Sequence, residues 1–343
     1  MIRKILAGIC LTILVCTRLQ AQDHQYSQFF NSPVYLNPAL NGQFDGDLRM
    51  NLIYRNQWTT LPGGPKYISA SIDYNMPSFG GGVGLLFTRG TEGPAYLNKT
   101  NLSGIYSYSV GSDDYVLSFG LQAGVTNRNI DFNNLVFSDQ IDPRLGFDPS
   151  LLTSAEPPVY NNKFYFDAGA GVNLVSGNFM AGAAFQHINH PNESFTGDKV
   201  GVPLRTTAHL SYIFDLNKYD NLDDDEKSYV IPSVVFYKQA NLQSYSAGIQ
   251  YKRRSINAGL SYRSSGGTGS GALVISLIFD LFINKEGHEK VRFGISHDAP
   301  MSRNTYSNTS GTTEGSIGYE TTLPNRPDPY RKFQNGRKCY DFY

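Results

Sequence analysis

The sequence predicts an all-β fold, a transmembrane antiparallel β-barrel of about fourteen strands, and three observations support this class. Apolar and polar residues alternate for roughly ten residues at a time, whereas strands of soluble sandwiches are usually shorter. Tyr and Phe are abundant, with 23 and 21 residues, and charged residues make up only 17% of the chain. Beyond residue 21, no apolar run is long enough for a transmembrane helix.

The first predicted element is a secretory signal peptide at residues 1–21. This stretch has two basic residues near its start, continues with a short apolar run and ends in Leu-Gln-Ala. We expect cleavage after Ala21. Cys16 raises the alternative of a lipid anchor, but Val15 stands where lipid attachment needs a small residue.

Export changes both the charge and the cysteine count. Removal of the signal takes away three basic residues and no acidic ones, so the formal net charge falls from zero to −3. A net charge of −3 is compatible with a role in a membrane, but it disfavours nucleic acid as a partner. Of the three cysteines only Cys339 remains, so the sequence offers no disulfide framework.

The second predicted element is an N-terminal plug segment at residues 22–47. Its aromatic side chains favour burial, while its Asn and Pro residues oppose regular structure. A segment of this kind can pack inside the barrel and occlude the lumen. The alternative is a disordered periplasmic leader, which the aromatic content disfavours. The residues that predict the plug are Tyr26, Phe29, Phe30, Tyr35, Asn37, Pro38 and Asn41.

The barrel itself is predicted over residues 48–320. In DYVLSFGLQAGVT, residues 114–126, apolar side chains occupy one face and small or polar residues the other. An even strand number permits closure, which removes sheet edges that lipid cannot satisfy. The predicted strands begin near Leu48, Lys66, Gly80, Tyr96, Asp114, Lys163, Asn178, Leu204, Ser228, Leu242, Arg254, Gly271, Glu289 and Thr312.

The polar faces of the strands carry charged residues that must point into the lumen, because the apolar faces meet lipid. These residues can pair with one another, line an aqueous pore or bind the plug, and the partner of Arg55 stays open. The candidate lumenal wall consists of Arg49, Arg55, Asp73, Asp167, Arg205 and Glu314.

The connections alternate between the two sides of the membrane. With the amino end in the periplasm, residues 127–162, 188–203 and 298–311 face outward, and 217–227 is an unusually long periplasmic turn. The apolar content of 127–162 predicts either packing over the barrel mouth or an extracellular docking loop. The candidate docking residues are Phe132, Phe137, Phe147 and Leu151.

Two groups of residues have the chemistry of metal ligands. The acidic run at 220–226 offers carboxylates to Ca²⁺, but it lacks an EF-hand's spacing and turn glycine, which favours a solvated turn. His187 and His190 lie where a strand enters a loop, and not on one helix face. No nucleophile–base pattern stands out. We therefore predict no enzymatic activity, metal or cofactor.

Residues 321–343 form a predicted periplasmic tail. Its positive charge fits a periplasmic partner, and a solvated tail is the alternative. The candidate contact residues are Arg331, Lys332, Arg337 and Lys338.

Several stretches resemble the PorP/SprF family. The amino-terminal SQFFNSPVYLNPALNG is the most specific of them. The others are RNQW at 55–58, SIDYNMP at 71–77, VRFGISHDAP at 291–300, GSIGYE at 315–320 and Cys339 near the carboxyl end. The tail departs from the family, since Tyr340 follows the cysteine where Pro is expected.

The resemblance implies a non-enzymatic outer-membrane protein of the Bacteroidetes type IX secretion and gliding system. The implied partners are periplasmic ring or peptidoglycan-linked secretion components, and a secreted surface adhesin held through its C-terminal domain. The lipid bilayer is the third partner. The alternative is an outer-membrane transporter or porin for small solutes, and a soluble secreted β-protein is more distant.

Overall fold

A computed structural model describes residues 23–44, 46–76, 79–93, 96–112, 114–148, 150–217, 227–265, 270–284, 289–301 and 306–323. Fourteen long strands form one closed antiparallel barrel, which confirms the predicted class. Their bounds are β1 Leu48–Gln57, β2 Lys66–Met76, β3 Gly81–Glu92, β4 Leu97–Gly111, β5 Tyr115–Asn129, β6 Asn162–Ser176, β7 Phe179–Gln186, β8 Arg205–Tyr212, β9 Ser228–Gln239, β10 Leu242–Arg253, β11 Ile256–Ser265, β12 Ser270–Asn284, β13 Glu289–Pro300 and β14 Thr312–Thr321.

Each strand begins at or next to its predicted position, and the largest offset is at β11. The barrel closes where β1 pairs with β14, from Leu48 opposite Thr321 to Gln57 opposite Thr312. A short strand, Phe214–Asp215, continues β8 and pairs with β9. Closure leaves these edges hydrogen-bonded, as a barrel in lipid requires.

Side-chain direction follows the alternation that the sequence shows. On β5, Leu121 and Val125 are exposed on the outer face, while Val116, Ser118 and Thr126 are buried on the inner face. The same apolar-out pattern recurs around the barrel, so the outer surface is an apolar band suited to lipid. Among the described residues, no helix is long and apolar enough to cross a membrane.

The two ends of the barrel differ. We call the end that carries Leu48 and Thr321 the turn end, and the opposite end the loop end. Connections at the turn end are mostly short, as at 177–178 and 254–255, whereas 130–161 and 187–204 are long connections at the loop end. The long turn-end connection at 213–227 has residues 218–226 outside the described part, and these include the whole acidic run at 220–226.

The loop-end connections have some structure of their own. Connection 130–161 contains the 3-10 helices Phe132–Asn134 and Ser138–Gln140 and a small hairpin of Ile141–Asp142 with Gly146–Phe147. Connection 301–311 contains one helical turn, Tyr306–Thr309.

The amino-terminal segment, residues 23–44, lies against the inner faces of the strands. It contains the 3-10 helices Phe29–Asn31 and Pro38–Leu40 and one α-helical turn, Pro33–Leu36. Asp23 contacts β4 near the loop end through Lys99, and Gln43 contacts the same strand near the turn end through Ser109. The segment therefore follows the length of the barrel interior.

Candidate functional site

The candidate site is the contact between the amino-terminal segment and the inner wall. Proline and asparagine shape the segment locally. Pro33 and Pro38 each begin a helical turn, a position that needs no backbone N–H donor. The Asn37 side chain accepts a hydrogen bond from the Ala39 N–H at 2.9 Å and donates one to the Val172 carbonyl on β6 at 2.9 Å. One buried amide thus caps a turn and joins it to the wall.

Two apolar clusters fix the segment against the barrel. In the first, Phe29, Phe30, Leu36 and Leu40 pack with wall residues that include Met180. In the second, three segment residues pack on four wall residues: Tyr26, Val34 and Tyr35 meet Ile53, Tyr67, Leu86 and Ile105. Burial of one such side chain contributes about 1.5–3 kcal/mol relative to its exposure, so these clusters hold the segment strongly.

A charge cluster at β13 and β14 binds the start of the segment. Glu314 is fully buried, and its carboxylate accepts the backbone N–H groups of Ser27 at 2.8 Å and Gln28 at 2.9 Å. The same carboxylate pairs with Arg55. Asp298 accepts the Ser27 hydroxyl at 2.8 Å. Acidic side chains of the wall therefore satisfy backbone donors that have no partner within the segment.

A second charge cluster binds the end of the segment. Arg49 and Asp73 form a buried ion pair with a nitrogen–oxygen distance of 2.7 Å. Arg49 also donates to the Leu40 carbonyl at 3.1 Å, and Asp73 accepts the Gly42 N–H at 2.9 Å. The Arg49 guanidinium lies 4.6 Å from the centre of the Phe44 ring. Each member of the ion pair therefore also holds the segment.

A third cluster surrounds Asp23 at the loop end. The carboxylate lies 2.6 Å from Lys99 Nζ and 2.6 Å from His187 Nε2. The other nitrogen of His187, Nδ1, lies 2.9 Å from Asp167. Burial alone would raise the pKa of Asp23, but the positive charges of Lys99 and His187 outweigh it and hold this pKa well below its usual range.

His187 couples this cluster to pH. Burial opposes its charged form, but the carboxylates of Asp23 and Asp167 outweigh that effect and raise the pKa of His187 to about 9. A histidine whose folded-state pKa is raised stabilises the fold fully below its ordinary pKa of 6.5, and that stabilisation is lost as the pH rises through about 9.

We expect the free energy of unfolding of the wild type to decrease between pH 6.5 and a pH above 9, and to decrease by more than that of the His187→Gln variant. The expected difference is on the order of 2 kcal/mol. Thermal unfolding of the purified barrel at several pH values measures it. The exposed His190 gives a control, because His190→Gln should keep the wild-type dependence. Equal pH profiles for wild type and His187→Gln would contradict the assignment.

The structure places the predicted wall residues on the inner face. Five of the six contact the segment directly, and the sixth, Asp167, reaches it through His187. Arg205 donates to the Tyr35 hydroxyl at 2.7 Å and stacks over its ring. Asp73 pairs with Arg49, so the carboxylates that partner Arg55 are Glu314 and Asp298.

Several residues of the site did not enter the sequence-based set. Asp298 and Arg263 form an ion pair at 2.7 Å on the inner faces of β13 and β11, where the polar alternation of each strand would have identified them. Asp23 carries no comparable signal, because it precedes every periodic element. The sequence pattern indicated His187 only as a candidate metal ligand. Among the described residues, no group of three or more His, Cys, Asp or Glu side chains is placed to hold a metal ion.

The predicted docking residues lie apart from the segment, on connection 130–161. The rings of Phe132 and Phe137 are 5.2 Å apart and half-buried, whereas Phe147 and Leu151 are exposed. The connection also presents Leu152, which is 96% exposed. The predicted basic contacts of the tail, Arg331, Lys332, Arg337 and Lys338, lie outside the described residues.

A glycine on β5 permits the close approach of the segment. A Cβ atom added to Gly120 would overlap the backbone of Pro38 and Ala39. We expect Gly120→Ala to destabilise the protein by about 1–3 kcal/mol, because the backbone of the amino-terminal segment and strand β5 must move apart. Gly104→Ala is the matched control, since the nearest atom to its added Cβ is 3.9 Å away. Denaturant unfolding compares the two variants, and equal stability would contradict the close approach.

A closed barrel with an apolar outer band and a polar interior defines the class of outer-membrane β-barrel proteins. Residues 19–319 match the family described as "Type IX secretion system membrane protein PorP/SprF", and the chain belongs to that family. Membership confirms the resemblance noted in the sequence and associates the protein with the type IX secretion machinery.

Solved structures of other barrels are similar in architecture. The Acinetobacter baumannii outer membrane protein Omp33 is 8% identical with a TM-score of 0.43, over 82% of this chain and 100% of that chain. A Pseudomonas aeruginosa FadL homologue is 11% identical with a TM-score of 0.45, over 84% of this chain and 94% of that chain. No match was found among curated proteins.

Proposed function

We propose that this protein is a non-enzymatic anchoring barrel of the type IX secretion or gliding machinery. In this role it holds or helps export a cell-surface adhesin and contacts periplasmic ring components. The proposed organisation is a signal peptide at 1–21, a plug at 22–47, the barrel at 48–320 and a periplasmic tail at 321–343.

The observation that supports the proposal most is how the segment fills the interior. Two apolar clusters and three charge clusters join residues 23–44 to the wall from the loop end to the turn end. A barrel closed in this way offers its two end surfaces, and not a pore, for function. We propose that the segment acts as the plug.

The loop end offers the surface for an exported partner. Connection 130–161 exposes apolar side chains next to connection 187–204, to which it is tied by the Tyr160 N–H and the Phe195 carbonyl at 3.0 Å. Exposed apolar patches of this kind mark interaction surfaces. The exposed apolar residues are Val136, Ile141, Leu145, Phe147, Leu151, Leu152 and Val159. We propose this patch as the contact for the C-terminal domain of a surface adhesin.

Affinity purification tests this proposal. The tagged protein is isolated from gently solubilised outer membranes, and mass spectrometry identifies what accompanies it. We expect type IX components and one large surface protein. The variant Phe147→Ser/Leu151→Ser should lose the surface protein and keep the periplasmic components. Ile188→Ser/Val200→Ser, on the neighbouring exposed loop, is the control. Recovery of the barrel alone in several detergents would contradict the anchoring role.

A second candidate, a transporter for small solutes, has one observation in its favour. The inward positions Ser246, Gly248, Gly259 and Ser261 on β10 and β11 keep partial exposure although they face the lumen. Solvent therefore reaches part of the wall beside the segment. Stepwise currents from the intact protein in a planar bilayer would support transport over anchoring.

A further inference from the structure

A cavity opens at the loop end of the barrel, where the amino-terminal segment begins. Its lining includes Asp23 from the segment and Lys99, His187, Arg205 and Gln239 from the wall. None of these wall residues lies on the exposed apolar connection 130–161. The cavity is therefore a polar feature distinct from the proposed docking patch.

The Asp23 carboxylate occupies an anion site that the wall builds. Its Oδ1 lies 2.6 Å from Lys99 Nζ, and its Oδ2 lies 2.6 Å from His187 Nε2 and accepts Gln239 Nε2 at 3.1 Å. These three donors come from β4, from the connection after β7 and from the end of β9. Donors converging from three places on one carboxylate are the arrangement of a ligand site.

A wall residue orients His187 independently of Asp23. Asp167 lies 2.9 Å from His187 Nδ1 and orients the ring, so that Nε2 faces the cavity. With a carboxylate at each nitrogen, the ring holds both protons and acts as a cationic donor on both sides. Removal of Asp23 would leave Lys99 and His187 as neighbouring cations that lack one counter-charge.

A further donor on the cavity wall has no partner. Arg205 donates through Nη1 to the Tyr35 hydroxyl at 2.7 Å. Its Nη2 is buried and makes no hydrogen bond with any described residue. A buried N–H without a partner is costly, and an arginine presents paired N–H groups that match a carboxylate. The cavity thus has donor capacity beyond what Asp23 uses.

The Asp23 side chain is the part of the segment that can move independently, because the next residue is fixed. The His24 ring stacks on the rings of Tyr35 and Tyr67, with ring centres 4.9 and 4.3 Å apart. Asp23 is held by polar contacts alone, including its own N–H to Gln239 Oε1 at 2.8 Å. The apolar clusters that fix the segment involve Tyr26 and later residues. An incoming ligand can therefore replace Asp23 without disturbing those clusters.

We propose that the loop-end cavity is a carboxylate-binding site that Asp23 occupies as a built-in ligand, and that a carboxylate presented from outside the barrel replaces it. The exchange is neutral, because one anion leaves the cations as another arrives. The incoming group is either a free carboxylate or an acidic side chain of a protein at the loop end. In both cases the Asp23 side chain is released from Lys99 and His187.

Chemical rescue tests the site in the purified full-length barrel. Asp23→Ala should melt several degrees below wild type in chloride, because the cations lose their counter-charge. Sodium acetate at constant ionic strength should restore at least half of that loss, while wild type, whose site is filled, gains little. The control is Asp139→Ala, which removes an exposed carboxylate of connection 130–161 and should not respond to acetate.

Two further variants keep the test decisive. Asp23→Asn preserves the side-chain size if the alanine variant fails to fold, and it should show the same acetate dependence. Adding Lys99→Gln to Asp23→Ala should abolish the rescue. Equal rescue by chloride, or equal acetate gains in wild type and Asp23→Ala, would overturn the proposal.

The source of the carboxylate is distinguished by a peptide experiment. An acidic peptide and its amide-matched counterpart, with Glu replaced by Gln, are added to wild type and to Asp23→Asn. Selective stabilisation of Asp23→Asn by the acidic peptide identifies a protein side chain as the replacing group. Rescue by acetate without any peptide effect identifies a small free carboxylate. Absence of both effects rejects the site.

Discussion

Arg49→Ala is expected to lower the free energy of unfolding by about 3–5 kcal/mol, the typical cost of breaking a buried ion pair. The substitution leaves the Asp73 carboxylate buried without its cation, 2.9 Å from the Gly42 N–H as its remaining donor from the segment. It also removes the donor to the Leu40 carbonyl and the cation over the Phe44 ring. Stability and attachment of the segment should therefore decrease together.

Denaturant unfolding followed by the heat-dependent gel shift measures this loss. Arg253→Ala is the matched control, because Arg253 is an exposed arginine near the turn end and should change stability little. Arg49→Ala/Asp73→Ala should be less destabilised than the sum of its single variants, since the double variant leaves no uncompensated charge. Strict additivity would mean that the two side chains act separately.

The strand positions were predictable because each strand repeats the same signal. Period-two alternation identifies Ser118 and Thr126 as inward and Leu121 and Val125 as outward without knowledge of any neighbour. The direction of a charged side chain follows from the same rule. Local information therefore sufficed for the barrel and for the faces of its strands.

The ion-pair partners were not predictable, because they depend on strand register. Arg49 lies opposite Asp73 on β2, and Arg55 lies opposite Glu314 on β14. The second pairing exists only because the last strand returns to the first. A register shift by one residue would turn every side chain of a strand to the other face, so the alternation excludes it. A shift by two residues leaves each side chain on its face, and the alternation within one strand cannot distinguish that register from the true one.

The inner apolar residues show the same limit. Ile53 interrupts the polar face of β1, and from the sequence it is an exception. In the structure it is buried in the cluster that contains Tyr26 and Val34. Its partners come from a segment without periodicity, whose path no local pattern predicts. Asp23 was missed for this reason as well.

The charged residues of the wall hydrogen-bond to the segment, and this bears on whether the barrel anchors a partner or transports solutes. A wall that only paired its own charges would leave the backbone donors of Ser27 and Gln28 without acceptors, yet Glu314 accepts both. The interior charges thus bind the segment as well as one another. This dual use supports a lumen that is occupied, and it makes occupancy testable.

Deletion of residues 26–42 is expected to open the lumen. The variant lacks the segment's residues in both apolar clusters and the segment N–H groups that Glu314 and Asp73 accept. It keeps strands β1 and β14, whose pairing closes the barrel. Planar-bilayer recordings should show stepwise currents that are absent from wild type. Glu314→Ala, which removes the acceptor at the start of the segment and a partner of Arg55, should give brief openings.

The same deletion separates anchoring from transport. An anchoring barrel whose segment supports its loop-end surface should lose its co-purifying surface protein when residues 26–42 are removed, while the currents appear. A transporter should gain conductance without losing any partner, because none depended on the segment. Wild-type currents as large as those of the deletion variant would show that the segment does not close the lumen.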